Sequence, residues 1–143
     1  MNYWYHGTTS ERLKKILEQG LKRGSEISKT TEHFLETHPP MFESISLAKR
    51  EKDAIFFTTG GITKERIPTQ AILKIDIDKL DKGQMRVYPL FDKRESELMY
   101  FGDIPTDAIE EVFIRKFLWK DKKLEVKEKR YSKRDFDKLK EVI

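Results

Sequence analysis

The chain has 143 residues, carries 29 Lys/Arg against 25 Asp/Glu for a net charge of +4, and contains no cysteine. Its length suits a single domain, 1–143, with a core that needs no covalent staple, and the missing cysteine excludes disulfides, thiolate zinc sites and a thiol nucleophile. No apolar run approaches the ~18 residues of a membrane span, and the N-terminus lacks a basic segment followed by an apolar one, so a cytoplasmic protein without membrane contact is expected.

The first element is a short aromatic strand, Tyr3-Trp4-Tyr5, ending at His6. Gly7 allows a turn or a close approach, and Thr8 with Glu11 has capping-box spacing for a helix. Leu13, Ile16, Leu17 and Leu21 then repeat at helical intervals, and Gly20 suits the left-handed residue that ends a helix. The predicted unit is strand, His-Gly-Thr turn, helix, with an imidazole, two hydroxyls and free backbone groups at the turn. By itself such a histidine fits a core hydrogen bond as well as a ligand.

Residues 22–40 read as a long polar loop broken at Pro39-Pro40, and 41–49 as a short helix. Ala54–Thr59 is β-branched and aromatic, bounded by Gly60-Gly61, and is predicted as a central strand apolar on both faces. No phosphate-cradling glycine motif is present. Gln70–Asp78 is a second strand, with Leu73, Ile75 and Ile77 inward and Lys74, Asp76 and Asp78 outward. The spacing of Asp76, Asp78 and Asp81 is not that of an EF-hand, so these acids read as a solvated strand end and no metal is expected.

Met85–Leu90 and Leu98–Phe101 read as strands, and 104–109 as a turn with a brief helical step. Val112–Trp119 and Leu124–Lys129 form a closing pair hinged at 120–123. Ser132 caps a final amphipathic helix that uses Phe136, Leu139, Val142 and Ile143. From Arg115 onward there are 12 Lys/Arg against 6 Asp/Glu, whereas the rest of the chain holds 17 against 19. This basic end reads as a nucleic-acid footprint or as a solvated face.

Taken in order, Tyr5-His6-Gly7-Thr8, Ala54-Ile55-Phe56-Phe57-Thr58 and Ser96-Glu97-Leu98-Met99-Tyr100 resemble the three motifs of the ADP-ribosyltransferase superfamily. The likeness is to its His–Tyr–Glu branch of diphtheria-type toxins and poly(ADP-ribose) polymerases, and it spans about residues 3–115. It implies an α+β fold, a split and curved antiparallel β sandwich with peripheral helices that binds NAD in the cleft. It implies cleavage of the nicotinamide–ribose bond and transfer of ADP-ribose to a macromolecular acceptor, a protein or a nucleic acid.

On that resemblance His6, Gly7, Thr8 and Phe56 bind NAD, with Phe56 standing where the triad has Tyr and stacking on nicotinamide. Glu97 stabilises the cationic ribose. Glu95, two residues earlier on an extended chain, shares its face and acts as base toward the acceptor. The helix that usually follows the second motif is reduced to the Gly-, Lys- and Pro-containing stretch 60–70. Two alternatives stand beside this reading: a related RNA 2′-phosphotransferase, for which only Arg12 lies near His6, and a non-enzymatic basic module using 115–134 and Trp119.

Overall fold

The structure is a computed structural model and describes residues 2–22, 44–58, 69–89 and 95–143. Seven strands form one antiparallel sheet: β1 Tyr3–Thr9, β2 Ile45–Ala48, β3 Gln70–Asp76, β4 Met85–Pro89, β5 Glu95–Tyr100, β6 Ile109–Lys120 and β7 Lys123–Ser132. Among the described residues, three α-helices accompany them: α1 Ser10–Gln19, α2 Glu51–Thr58 and α3 Phe136–Val142. The spatial order is β4-β5-β2-β1-β3-β6-β7. The architecture is therefore α+β and mostly β. No helix among the described residues is long and apolar enough to cross a membrane.

One face of the sheet carries the main core. Alternation on β3 sends Ala71, Leu73 and Ile75 to that face, where they meet Leu13, Ile16 and Leu17 of α1 and Leu139 of α3. Apolar side chains at helical spacing give α1 a single buried stripe, and its burial against the sheet is what stabilises so short a helix. Gly20 ends α1 with φ +81°, and a Cβ there would lie 2.5 Å from the Ile104 carbonyl oxygen. That close approach lets Leu21 and Ile104 exchange backbone hydrogen bonds of 2.8 and 2.9 Å.

The other face carries a smaller cluster of Ala48, Ala54, Ile72 and Phe113, with Tyr5 and Ile55 packed against it. Here α2 covers the sheet, and the strand predicted over Ala54–Thr59 is instead helical to Thr58. Glu51 and Asp53 occupy its first turn, where acids suit the helix dipole. The Ala54 N–H closes that turn on the Arg50 carbonyl, and Arg50 pairs with Asp53 at 2.8 Å. Two ties dock the helix: the buried Gln70 amide donates to the Ile55 carbonyl, and Arg130 holds Glu51 through two hydrogen bonds. These local and tertiary contacts outweigh the strand preference of Ile55-Phe56-Phe57.

The short helix predicted over 41–49 is corrected as well, since Ile45–Ala48 is strand β2, with Ile45, Leu47 and Ala48 buried. β3 stops at Asp76, whose carboxylate accepts from the Asp78 N–H and opens a 3-10 turn at Ile77–Lys79. The closing hairpin forms as predicted, with Asp121 and Lys122 at φ +51° and +63°, the geometry of a two-residue primed turn. Of the apolar residues assigned to the last helix, Val142 is exposed while Leu139 is fully buried. The long loop at 22–40 and the segment 60–68 lie outside the described residues, Lys22 aside.

A near-break runs through the sheet. β1 pairs with β3 at seven positions, from Tyr3↔Asp76 to Thr9↔Gln70. With β2 it shares only Tyr5↔Ala48. The strands thus fall into β4-β5-β2 and β1-β3-β6-β7, joined in the sheet by a single residue pair.

Candidate functional site

At this near-break a cavity of about 380 Å³ opens, lined by Tyr5, His6, Gly7, Ser46, Ala48, Ala54 and Glu97. Its volume lies within the roughly 300–1,000 Å³ range of small-molecule sites. β1 contributes Tyr5, His6 and Gly7, β2 contributes Ser46 and Ala48, β5 contributes Glu97, and α2 contributes Ala54.

Strand register explains the meeting. Ala48 lies opposite Glu97, and Ser46 lies opposite Met99, so Ser46 and Glu97 are diagonal neighbours on one face, within reach of each other's side chains. The Ser46 hydroxyl donates to the Glu97 carboxylate at 2.5 Å. His6 Nδ1 lies 2.8 Å from the Ser46 carbonyl oxygen. A carbonyl only accepts, so Nδ1 carries the proton, and in the neutral ring Nε2 is then the acceptor. A side chain thus bridges the two groups of strands where the backbone ladder stops. Tyr5 stands at the rim, and burial, reinforced by Glu51 and Glu111, raises its pKa and keeps the phenol protonated.

The structure brings three of the residues singled out in the sequence, His6, Gly7 and Glu97, into one cavity. Thr8 is buried within β1 and does not line it. The expected His-Gly-Thr turn is instead continuous strand, because Gly7, Thr8 and Thr9 pair in register with Ile72, Ala71 and Gln70. The helix starts one residue later than the capping-box spacing predicts, with Thr9 at the N-cap. Phe56 is in α2 rather than a strand, and its side chain lies outside the described residues. Glu95 is in β5 opposite Pro89, beside a register shift between Tyr88 and Pro89. Its side chain, and with it the face shared with Glu97, also lies outside the described residues.

Ser46 was not among the sequence candidates. Its signal is the alternation Ser44-Ile45-Ser46-Leu47, polar and apolar in turn, the period of a strand with one face buried.

The fold itself has counterparts among solved structures. A nicked form of CARDS toxin superposes with a TM-score of 0.57 at 12% identity, over 92% of this chain and 30% of the toxin. EcPltA superposes with a TM-score of 0.51 at 9% identity, over 92% of this chain and 85% of EcPltA. At such identities the likeness is one of fold, and the chain spans less than a third of CARDS toxin. The sequence matches no family model and no curated protein.

A larger cavity, about 640 Å³, lies on the opposite face between β6, β7, α1 and α3. No histidine is among the described residues that line it, and Ser10 and Glu11 lie in sequence on α1 rather than across strands as Ser46 and Glu97 do. Among the described residues no group of three or more His, Asp or Glu is arranged to hold a metal ion.

Proposed function

We propose that this chain is an NAD-dependent mono-ADP-ribosyltransferase that cleaves the nicotinamide–ribose bond in the cavity between β1, β2 and β5. The observation that carries this reading is the Ser46–Glu97 hydrogen bond, set beside His6 at the near-break of the sheet. The resemblance of the three sequence motifs to diphtheria-type toxins supports it, as does the fold likeness to CARDS toxin, and on this reading the near-break is the cleft of a split sandwich.

Breaking the bond leaves a cation on the ribose, with its electron pair departing on neutral nicotinamide, as in other glycosyl transfers. The Glu97 carboxylate faces that developing charge. Ser46 fixes the carboxylate's direction through its hydrogen bond. His6, held by the Ser46 carbonyl, and the Gly7 backbone grip the adenosine-side ribose and the nicotinamide amide respectively. Phe56 offers an aromatic face to the nicotinamide ring. An acceptor nucleophile then bonds to the ribose C1′ and gives its proton to Glu95.

The test is to incubate the protein with labelled NAD and mixed protein, DNA and RNA acceptors while following label and free nicotinamide together. Glu95→Gln is expected to cut label transfer more than nicotinamide release. His6→Ala is expected to weaken NAD binding. Wild-type protein that neither releases nicotinamide nor transfers label would overturn the proposal, and unchanged NAD affinity in His6→Ala would remove His6 from it.

A further inference from the structure

Beyond Arg115 the strand β6 leaves β3 behind. The last β3 pair is Gln70↔Arg115, and residues 116–120 pair with β7 alone. A two-stranded ribbon therefore projects from the sheet edge, an arrangement of marginal stability by itself. On the ribbon face that continues the main-core side, Lys116 lies opposite Lys127 and Lys120 opposite Lys123. Like charges set directly across a ladder repel.

The surrounding basic residues are treated differently. Arg115 pairs with Glu128, Arg130 with Glu51 and Glu111, and Lys133 with Asp107. Lys116, Lys120, Lys122, Lys123 and Lys127 have no acidic partner among the described residues. Glu125, opposite Leu118, lies between the two lysine rungs.

The same face runs into the 640 Å³ cavity, where Lys116, Lys127 and Lys129 meet a floor of Ile114, Leu139 and Tyr131. Lys129 sits 5.0 Å from the Tyr131 ring centre. Glu11 stands on another wall, and Glu128 is engaged by Arg115. A line of unpaired cations leading to an apolar, aromatic-sided recess matches a ligand whose anionic backbone alternates with flat apolar rings.

We propose that the β6–β7 ribbon and this cavity bind single-stranded nucleic acid, with phosphates along the lysine rungs and a base against Tyr131. Paired bases in a duplex are stacked away from such a recess, whereas a single strand can turn one into it. The inference is independent of the NAD site, which lies on the other face, and its test needs no NAD.

Fluorescence anisotropy of a labelled oligothymidine measures it, in wild type and in a variant with Lys116, Lys120, Lys123 and Lys127 all changed to Gln. With six ribbon lysines (those four, Lys122 and Lys129) on phosphates, wild-type affinity is expected to fall about 300-fold between 50 and 200 mM salt, and the variant's about 7-fold. Tyr131→Leu is expected to weaken binding roughly tenfold without changing the salt slope. Removing like-charge rungs relieves repulsion, so the four-lysine variant is expected to melt at or above the wild-type temperature.

Several results would overturn the proposal. They are no oligothymidine binding, an unchanged salt slope in the variant, or a variant that melts below wild type. Equal or tighter binding of the matching duplex, of polyglutamate or of phosphatidylserine vesicles would overturn it too.

Discussion

If Ser46 acts through Glu97, removing both must cost little more than removing Glu97 alone. Ser46→Ala deletes one hydroxyl from an exposed position of a strand whose buried residues are Ile45, Leu47 and Ala48. Water replaces the lost donor in the ligand-free protein, so folding stability should change by less than about 1 kcal/mol, and the full value of the bond is felt only once bound NAD excludes water. The bond it removes is a 2.5 Å donation to a carboxylate. Hydrogen bonds to charged groups contribute about 1.5–3 kcal/mol, which is roughly a 10- to 150-fold fall in the rate of nicotinamide release. Glu97→Gln removes the charge itself, and electrostatic stabilisation of this kind amounts to about 3 kcal/mol, roughly a hundredfold. The double variant should stay within about threefold of Glu97→Gln, because neighbours that act as one unit are not additive. Single-turnover nicotinamide release on the four proteins, with NAD binding and thermal melts measured in parallel, completes the cycle. Losses that multiply, giving roughly a thousandfold or more in the double variant, would refute the view that Ser46 positions Glu97. So would a Ser46→Ala protein as fast as wild type.

Two further outcomes concern the scaffold. Gly20→Ala should destabilise the fold by about 3–5 kcal/mol, summing positive-φ strain with the loss of the Leu21–Ile104 hydrogen bonds. A urea midpoint close to wild type would show that the Ile104 carbonyl yields more easily than its 2.5 Å approach implies. Asp107 is hydrogen-bonded by Lys133, with Lys79 nearby, and its pKa is lowered. Its contribution to stability is therefore present above the ordinary carboxylate pKa and lost as pH falls through the lower folded value, so Asp107→Asn should flatten the melting temperature's decline below about pH 4. An acid limb identical to wild type would assign that decline to other carboxylates.

The sequence was most legible where one physical signal governed an element. The 3.6-residue stripe of α1, the β6–β7 hairpin and the core face of β3 follow from apolar spacing, although Asp76, read as an outward acid, is buried, and Ile77 and Asp78 fall in the turn beyond β3. It was least legible around residues 41–58. There Ile55-Phe56-Phe57 favours a strand locally, yet Gln70, 15 residues downstream, and Arg130, 79 residues beyond Glu51, fasten the segment as a helix. Contacts of that range leave no trace in a short window. At the site, His6 and Glu97 stood out through the motifs Tyr5-His6-Gly7-Thr8 and Ser96-Glu97-Leu98-Met99-Tyr100, although both lie within strands rather than at their ends. Ser46 belongs to a strand of four residues, too short for its alternation to outweigh a helical reading.

The single Tyr5↔Ala48 pair has a mechanical consequence. A sheet held by many rungs resists rotation between adjacent strands, whereas one rung behaves as a pivot. Ser46 and Glu97 ride on one leaf of that pivot, and His6 and Gly7 ride on the other. The width of the mouth between them follows the angle of the leaves, which the shared core of Leu47, Leu98 and Leu73 holds from one side and the imidazole-to-carbonyl contact latches at the cavity.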